Sequence, residues 1–120
     1  MDIRQDTIHG ILLLQVEGDL LGSPDDLKLL HLAEHHLLEK GIRQVAIDIS
    51  KVHYMNSTGL TILIRMLTLY RNVGGEVVLI NPSDSVNKVL IITKLNAIFQ
   101  VLKNTEEALQ VLSVPMMSVC

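Results

Sequence analysis

Two short apolar, β-branched runs, Val45–Ile49 and Glu76–Ile80, are separated by a segment whose apolar residues recur at helical spacing. This arrangement constrains the fold more than anything else in the chain. Short, nearly continuous apolar runs are what strands buried on both faces look like. Two such strands joined through a helix lie parallel in one sheet, with a right-handed crossover between them.

The rest of the chain extends that unit in both directions. Ile3–Thr7, the turn His9-Gly10 and Ile11–Val16 read as a hairpin. Ser23-Pro24-Asp25-Asp26 starts a helix that runs from about Pro24 to Lys40 and stops at Gly41. Leu27, Leu30, Ala33, Leu37 and Leu38 are assigned to its core face, and Leu29 and Leu32, outside that stripe, suggest a second contact surface. After the connection 50–56, a second helix spans Ser57 to about Asn72 with Leu60, Leu63, Ile64 and Leu67 inward, and Gly74-Gly75 ends it. Asn81-Pro82-Ser83 closes the next strand. A third helix covers about Asp84 to Thr93 with Val86, Val89 and Leu90 inward. Ile98–Leu102 is a last strand, and Thr105–Leu112 a final helix with Thr105 as its N-cap. The expected fold is α/β: a four- to five-stranded mixed, mostly parallel sheet with about four helices, in one domain over residues 1–112, followed by a tail at 113–120.

Composition removes several function classes. Aromatic residues make up 2% of the chain, too few for base stacking, and the net charge of −3 comes without a basic patch, so no nucleic-acid partner is expected. No apolar run approaches the roughly 20 residues of a membrane span, and no polybasic run suits anionic lipid. Met1–Gly10 is polar and lacks the apolar core of a secretion signal, so a cytoplasmic location is expected. A lone Cys120 cannot form an internal disulfide and reads as a frayed end, and Met116 and Met117 as part of a loosely packed tail. His31 and His35 have metal-binding spacing, but with no third ligand nearby and His36 pointing elsewhere no metal or other cofactor is expected. The N-glycosylation pattern Asn56-Ser57-Thr58 is a chance match without a secretion signal. Ser57 with His53 invites a hydrolase reading, yet Gly-x-Ser-x-Gly and a placed acid are missing, and there is no P-loop. No enzyme is expected.

Function in a parallel α/β sheet gathers at loops leaving the carboxyl ends of strands. The loop after Val45–Ile49 is His53-Tyr54-Met55-Asn56-Ser57-Thr58-Gly59-Leu60, three small polar residues and a glycine at a helix start. Unpaired amides and partial positive charge collect there. Asn56 or Ser57 can cap the helix, and a serine there can also carry a phosphoryl group. Gly59 costs roughly 0.5–1 kcal/mol against alanine inside a first turn, which is reasonable if another chain must approach the backbone.

Val45-Ala46-Ile47-Asp48-Ile49, then Tyr54-Met55-Asn56-Ser57-Thr58-Gly59-Leu60, then Gly74-Gly75-Glu76-Val77-Val78-Leu79 resembles a STAS domain, in particular the bacterial anti-sigma factor antagonists. The resemblance covers nearly the whole chain, from the hairpin to the last helix. It implies partner switching. An anti-sigma factor that is itself a serine/threonine kinase phosphorylates the serine after the Asp/Asn, here Ser57. The unphosphorylated antagonist binds that kinase and frees a sigma factor, and a PP2C-type phosphatase resets it. Many members carry Asp where this chain has Asn56, which keeps the capping geometry and drops a charge. The implied contact surface is Tyr54, Met55, Asn56, Ser57, Thr58, Gly59, Leu60, Thr61 and Arg65, with Ser23 and Asp84 placed nearby by topology. The resemblance leaves a homodimer open. Two other readings stand beside it: a partner switch or scaffold with a non-sigma output, and a small-molecule-binding STAS module.

Overall fold

His9 and Gly10 both take positive φ, 52° and 79°, and turn the chain back on itself between β1 (Asp2–Ile8) and β2 (Ile11–Glu17). The two strands pair antiparallel with Ile8 opposite Ile11 and Asp2 opposite Glu17. The structure is a computed structural model and describes residues 2–21 and 26–113. From β2 onward each strand pairs in parallel with the next: β3 (Gln44–Lys51), β4 (Glu76–Ile80) and β5 (Gln100–Leu102), in the order β1-β2-β3-β4-β5. Helices α1 (Asp26–Lys40), α2 (Ser57–Arg71) and α3 (Asp84–Ile92) connect them, and α4 (Thr105–Ser113) follows β5.

Strands laid down in one direction with right-handed crossovers put every connecting helix on the same face. The side chains show it. Leu12, Leu14, Val45, Ile47, Val77 and Leu79 bury against α1, α2 and α3 in the larger cluster. Their alternating neighbours Ile11, Leu13, Ala46, Val78 and Ile80 bury against Ala108 and Leu112 of α4 on the other face. Strands covered on both sides explain why the central runs are apolar without alternation. The five-stranded mixed sheet with four helices is the architecture expected from the sequence.

Several local expectations need correction. At about 100° per residue, Leu27 and Leu38 lie on one line of α1, away from the line of Leu30, Ala33 and Leu37. They are exposed, while Leu29 is fully buried and Leu32 packs against the core, so no second contact surface is made by that pair. On α2, Ile64 is 36% exposed; Ile62, Met66 and Tyr70 take the inward positions. The Tyr70 hydroxyl donates to the Ala33 carbonyl at 2.7 Å, tying α2 to α1, and burial pushes its phenol up to about 12. The last strand begins later than Ile98. Lys94 turns left-handed with φ 63°, a short 3₁₀ turn spans Leu95–Ala97, and Phe99 drops into the core before β5 starts. Asn104, not Thr105, caps α4: its Oδ1 accepts from the Glu107 amide at 2.9 Å. The start expected for the first helix at Ser23 and Pro24, and the tail with Met116, Met117 and Cys120, lie outside the described residues. Among the described residues no helix is long and apolar enough to cross a membrane.

Candidate functional site

β3 ends at Lys51, but pairing with the chain beyond β2 continues past it. The Gly18 amide donates to the Lys51 carbonyl at 3.2 Å, Leu20 to Tyr54 at 2.9 Å, and Asn56 to Leu20 at 3.1 Å. Leu20 and Met55 face each other in an isolated parallel bridge, and both point inward, 0% and 7% exposed. This short extension delivers Asn56 in an extended conformation at the mouth of α2, with φ −106° and ψ −177°.

Asn56 is the cap. Its Oδ1 accepts from the Gly59 amide at 2.9 Å, and its backbone carbonyl accepts the first helical bond, from Leu60, at 3.0 Å. Its Nδ2 donates to the Leu21 carbonyl at 2.9 Å. Of the two caps the sequence leaves open, the structure chooses Asn56, and the choice moves Ser57 to the first helical position. The Ser57 side chain is exposed, and among the described residues no hydrogen bond engages its hydroxyl. Its carbonyl accepts from Thr61 Oγ1 at 2.9 Å. The first turn contains no acidic residue, so the positive end of the helix dipole is uncompensated there by any carboxylate of its own turn.

The residues expected at the contact surface divide in two. Tyr54, Asn56, Ser57, Thr58, Thr61 and Arg65 are exposed on one end and one face of α2; Met55, Gly59 and Leu60 are buried. The expectation that Gly59 admits another chain is corrected: a Cβ there would collide with the carbonyl and Cβ of Leu20, so the close approach is internal. Asp84 is exposed at the start of α3, and Ser83 Oγ donates to the Val52 carbonyl at 2.7 Å, which holds that start at the same end of the sheet. Ser23 lies outside the described residues. Sequence reasoning missed Leu21, 49% exposed beside this site. Only the pairing with residues 51–56 places it there, so no local signal could have found it.

The other candidates separate. His31 and His35 are exposed and His36 is buried, its Nε2 2.7 Å from Gln5 Oε1. Burial, then the nearby charges of Lys40 and His35, hold the His36 imidazole below its ordinary range. Among the described residues no group of three or more His, Cys, Asp or Glu is placed to hold a metal ion. No hydrogen bond joins His53 to Ser57 among the described residues.

A family model described as the STAS domain matches residues 2–108. BtrV of Bordetella bronchiseptica, a candidate anti-sigma factor antagonist, is 29% identical over 108 residues, covering 90% of this chain and 91% of that protein. Among solved structures, a candidate anti-sigma factor antagonist of Thermotoga maritima superposes with TM-score 0.78 at 21% identity, covering 93% of this chain and 95% of that one. The Bacillus anti-sigma factor antagonist SpoIIAA superposes in its unphosphorylated form with TM-score 0.74 at 15% identity, covering 94% and 100%, and in its phosphorylated form with TM-score 0.72 at 15% identity, covering 91% and 97%.

Proposed function

The chain belongs to the STAS domain family, and from that premise we propose that it is an anti-sigma factor antagonist in a partner-switching pathway, inactivated by phosphorylation at Ser57. The partner is an anti-sigma factor with serine/threonine kinase activity, bound while Ser57 is unmodified. A PP2C-type phosphatase reverses the modification. The chain acts in the cytoplasm as a protein-binding module and not as a catalyst, with residues 1–112 as the STAS domain and 113–120 as its tail.

The observation that carries this reading is the exposed Ser57 hydroxyl at the first position of α2, unengaged among the described residues. The relatives point the same way: BtrV bears the name of an anti-sigma factor antagonist, and SpoIIAA exists in phosphorylated and unphosphorylated forms. The chemistry is simple for this chain. The kinase transfers the γ-phosphoryl of ATP to Ser57 Oγ, which loses its proton as ADP leaves. The product carries about −1.5 to −2 charge at neutral pH. First-turn amides and the dipole accommodate an anion at this end, so the fold tolerates the group. What changes is the surface. A face that met a partner as a neutral hydroxyl now carries a strongly hydrated charge, which must be stripped of water to re-form the contact. Tyr54, Thr58, Thr61 and Arg65 are exposed around Ser57 and complete the face.

Incubation with purified ATP-dependent anti-sigma kinases, followed by mass spectrometry, should place a single phosphate on Ser57. Ser57→Ala should still bind the kinase, and Ser57→Asp should bind at least about a hundredfold more weakly, near 2.7 kcal/mol. A Ser57→Asp protein that binds every such partner as tightly as the native chain sinks the reading.

A further inference from the structure

We propose that Asn56 is a positioning residue whose carboxamide latches the 18–21 segment to the start of α2, so that Ser57 and the exposed Leu21 and Tyr54 are presented as one preformed face. This inference rests on the reading of Ser57 as the switch.

The carboxamide has two ends and uses both. Oδ1 holds the Gly59 amide of α2, and Nδ2 holds the Leu21 carbonyl, 35 residues away in sequence. Between these ends lie the pairing bonds Leu20–Tyr54 and Asn56–Leu20, and the Leu20 carbonyl packs where a Cβ of residue 59 would stand. The segment therefore touches the helix start through hydrogen bonds above and close backbone packing below. Leu21 is 49% exposed and Tyr54 62% exposed. Large apolar side chains held still before a partner arrives lose less freedom on binding. An ionised Asp at this position accepts from the Gly59 amide equally well but has no hydrogen to give the Leu21 carbonyl. Asn separates this chain from such a site: it supplies a cap and a latch where Asp supplies the cap alone.

Amide hydrogen exchange on the full chain tests the latch without any partner. In Asn56→Asp at neutral pH the Leu20 amide should exchange about tenfold faster than in the native chain, the loss expected for one hydrogen bond, while the Gly59 amide stays protected. Well below the ordinary carboxyl pKa of about 3.9, at a pH low enough to protonate a carboxylate that the Gly59 amide and the helix dipole favour, the introduced group is an O–H donor again, and the Leu20 ratio should return toward one. Asn56→Ser, which caps but cannot make both contacts, should show the faster exchange at every pH with no return. A Leu20 ratio of one in both variants at neutral pH, or no return in acid for Asn56→Asp, overturns the latch. Affinity for the kinase that modifies Ser57 tests the positioning. Leu21→Ser and Asn56→Asp should each weaken it several-fold, with Glu106→Gln, exposed on α4 across the sheet, unchanged. An opened latch with unchanged affinity overturns the positioning role and leaves the Ser57 reading to stand on Ser57→Asp. If no kinase modifies Ser57, that reading fails while the exchange result still decides the latch.

Discussion

α2 and α3 leave the same end of the sheet, each with a serine at its start, and the two hydroxyls are placed differently. Ser83 is the cap of α3: its Oγ donates to the Val52 carbonyl at 2.7 Å and accepts from the Val86 amide at 3.4 Å. It is half-buried and fully used. At α2 the cap is Asn56, so Ser57 sits one residue further in, exposed, with its hydroxyl unengaged among the described residues. The position three beyond each cap differs as well. Val86 fills the core at 0% exposure, whereas Gly59 has no side chain because the Leu20 carbonyl occupies the space. A shift of one residue relative to the cap thus separates a serine that holds the fold together from one open to chemistry.

The largest perturbation of this comparison is Gly59→Ala. The added methyl must displace backbone at Leu20, not the flexible end of a side chain, so a loss of about 2–3 kcal/mol is expected in urea unfolding. A loss under about 0.5 kcal/mol would mean the 18–21 segment yields freely. Ser83→Ala comes next, at about 1–2 kcal/mol, because it removes a cap and leaves the buried Val52 carbonyl without its donor. Acid offers a perturbation remote from both helix starts. His36 is held below its ordinary pKa by burial, Lys40 and His35, so the unfolded chain takes up the proton first. Its contribution is complete above about pH 6.5 and is lost as pH falls through the folded value. The unfolding free energy should therefore drop as pH falls below about 6.5, and His36→Gln should flatten that slope. Ser57 should give the smallest effects. Ser57→Ala is expected within about 0.5 kcal/mol of the native chain, and Ser57→Asp equal or slightly more stable because its charge meets the positive end of α2. Equal losses for Ser57→Ala and Ser83→Ala would erase the distinction between the two serines.

Much of this was legible locally. The hairpin turn at His9-Gly10, the strand at Glu76–Ile80 and the start of α2 at Ser57 follow from turn chemistry and apolar runs, and the structure has them where expected. The inward faces of the helices were less legible. Leu27, Leu38 and Ile64 are apolar and exposed, while His36 is polar and buried, because neighbouring helices and β1 decide which side of α1 and α2 is covered. The division of the expected contact surface into exposed Tyr54, Ser57, Thr61 and Arg65 and buried Met55, Gly59 and Leu60 could not be read from a loop whose side chains alternate under a pairing formed at long range.

The amino-acid order alone determined that strands and helices alternate, that the central strands are covered on both faces, and that a small polar loop meets a helix start at Ser57. Those features rest on interactions within a few residues and on the amount of apolar surface each run must bury. Only the tertiary structure decided which residue caps that helix, why Gly59 has no side chain, and that Leu21 stands beside Ser57. Each of these depends on the segment after β2 lying against the segment after β3, a contact between residues about 35 apart that no local preference specifies.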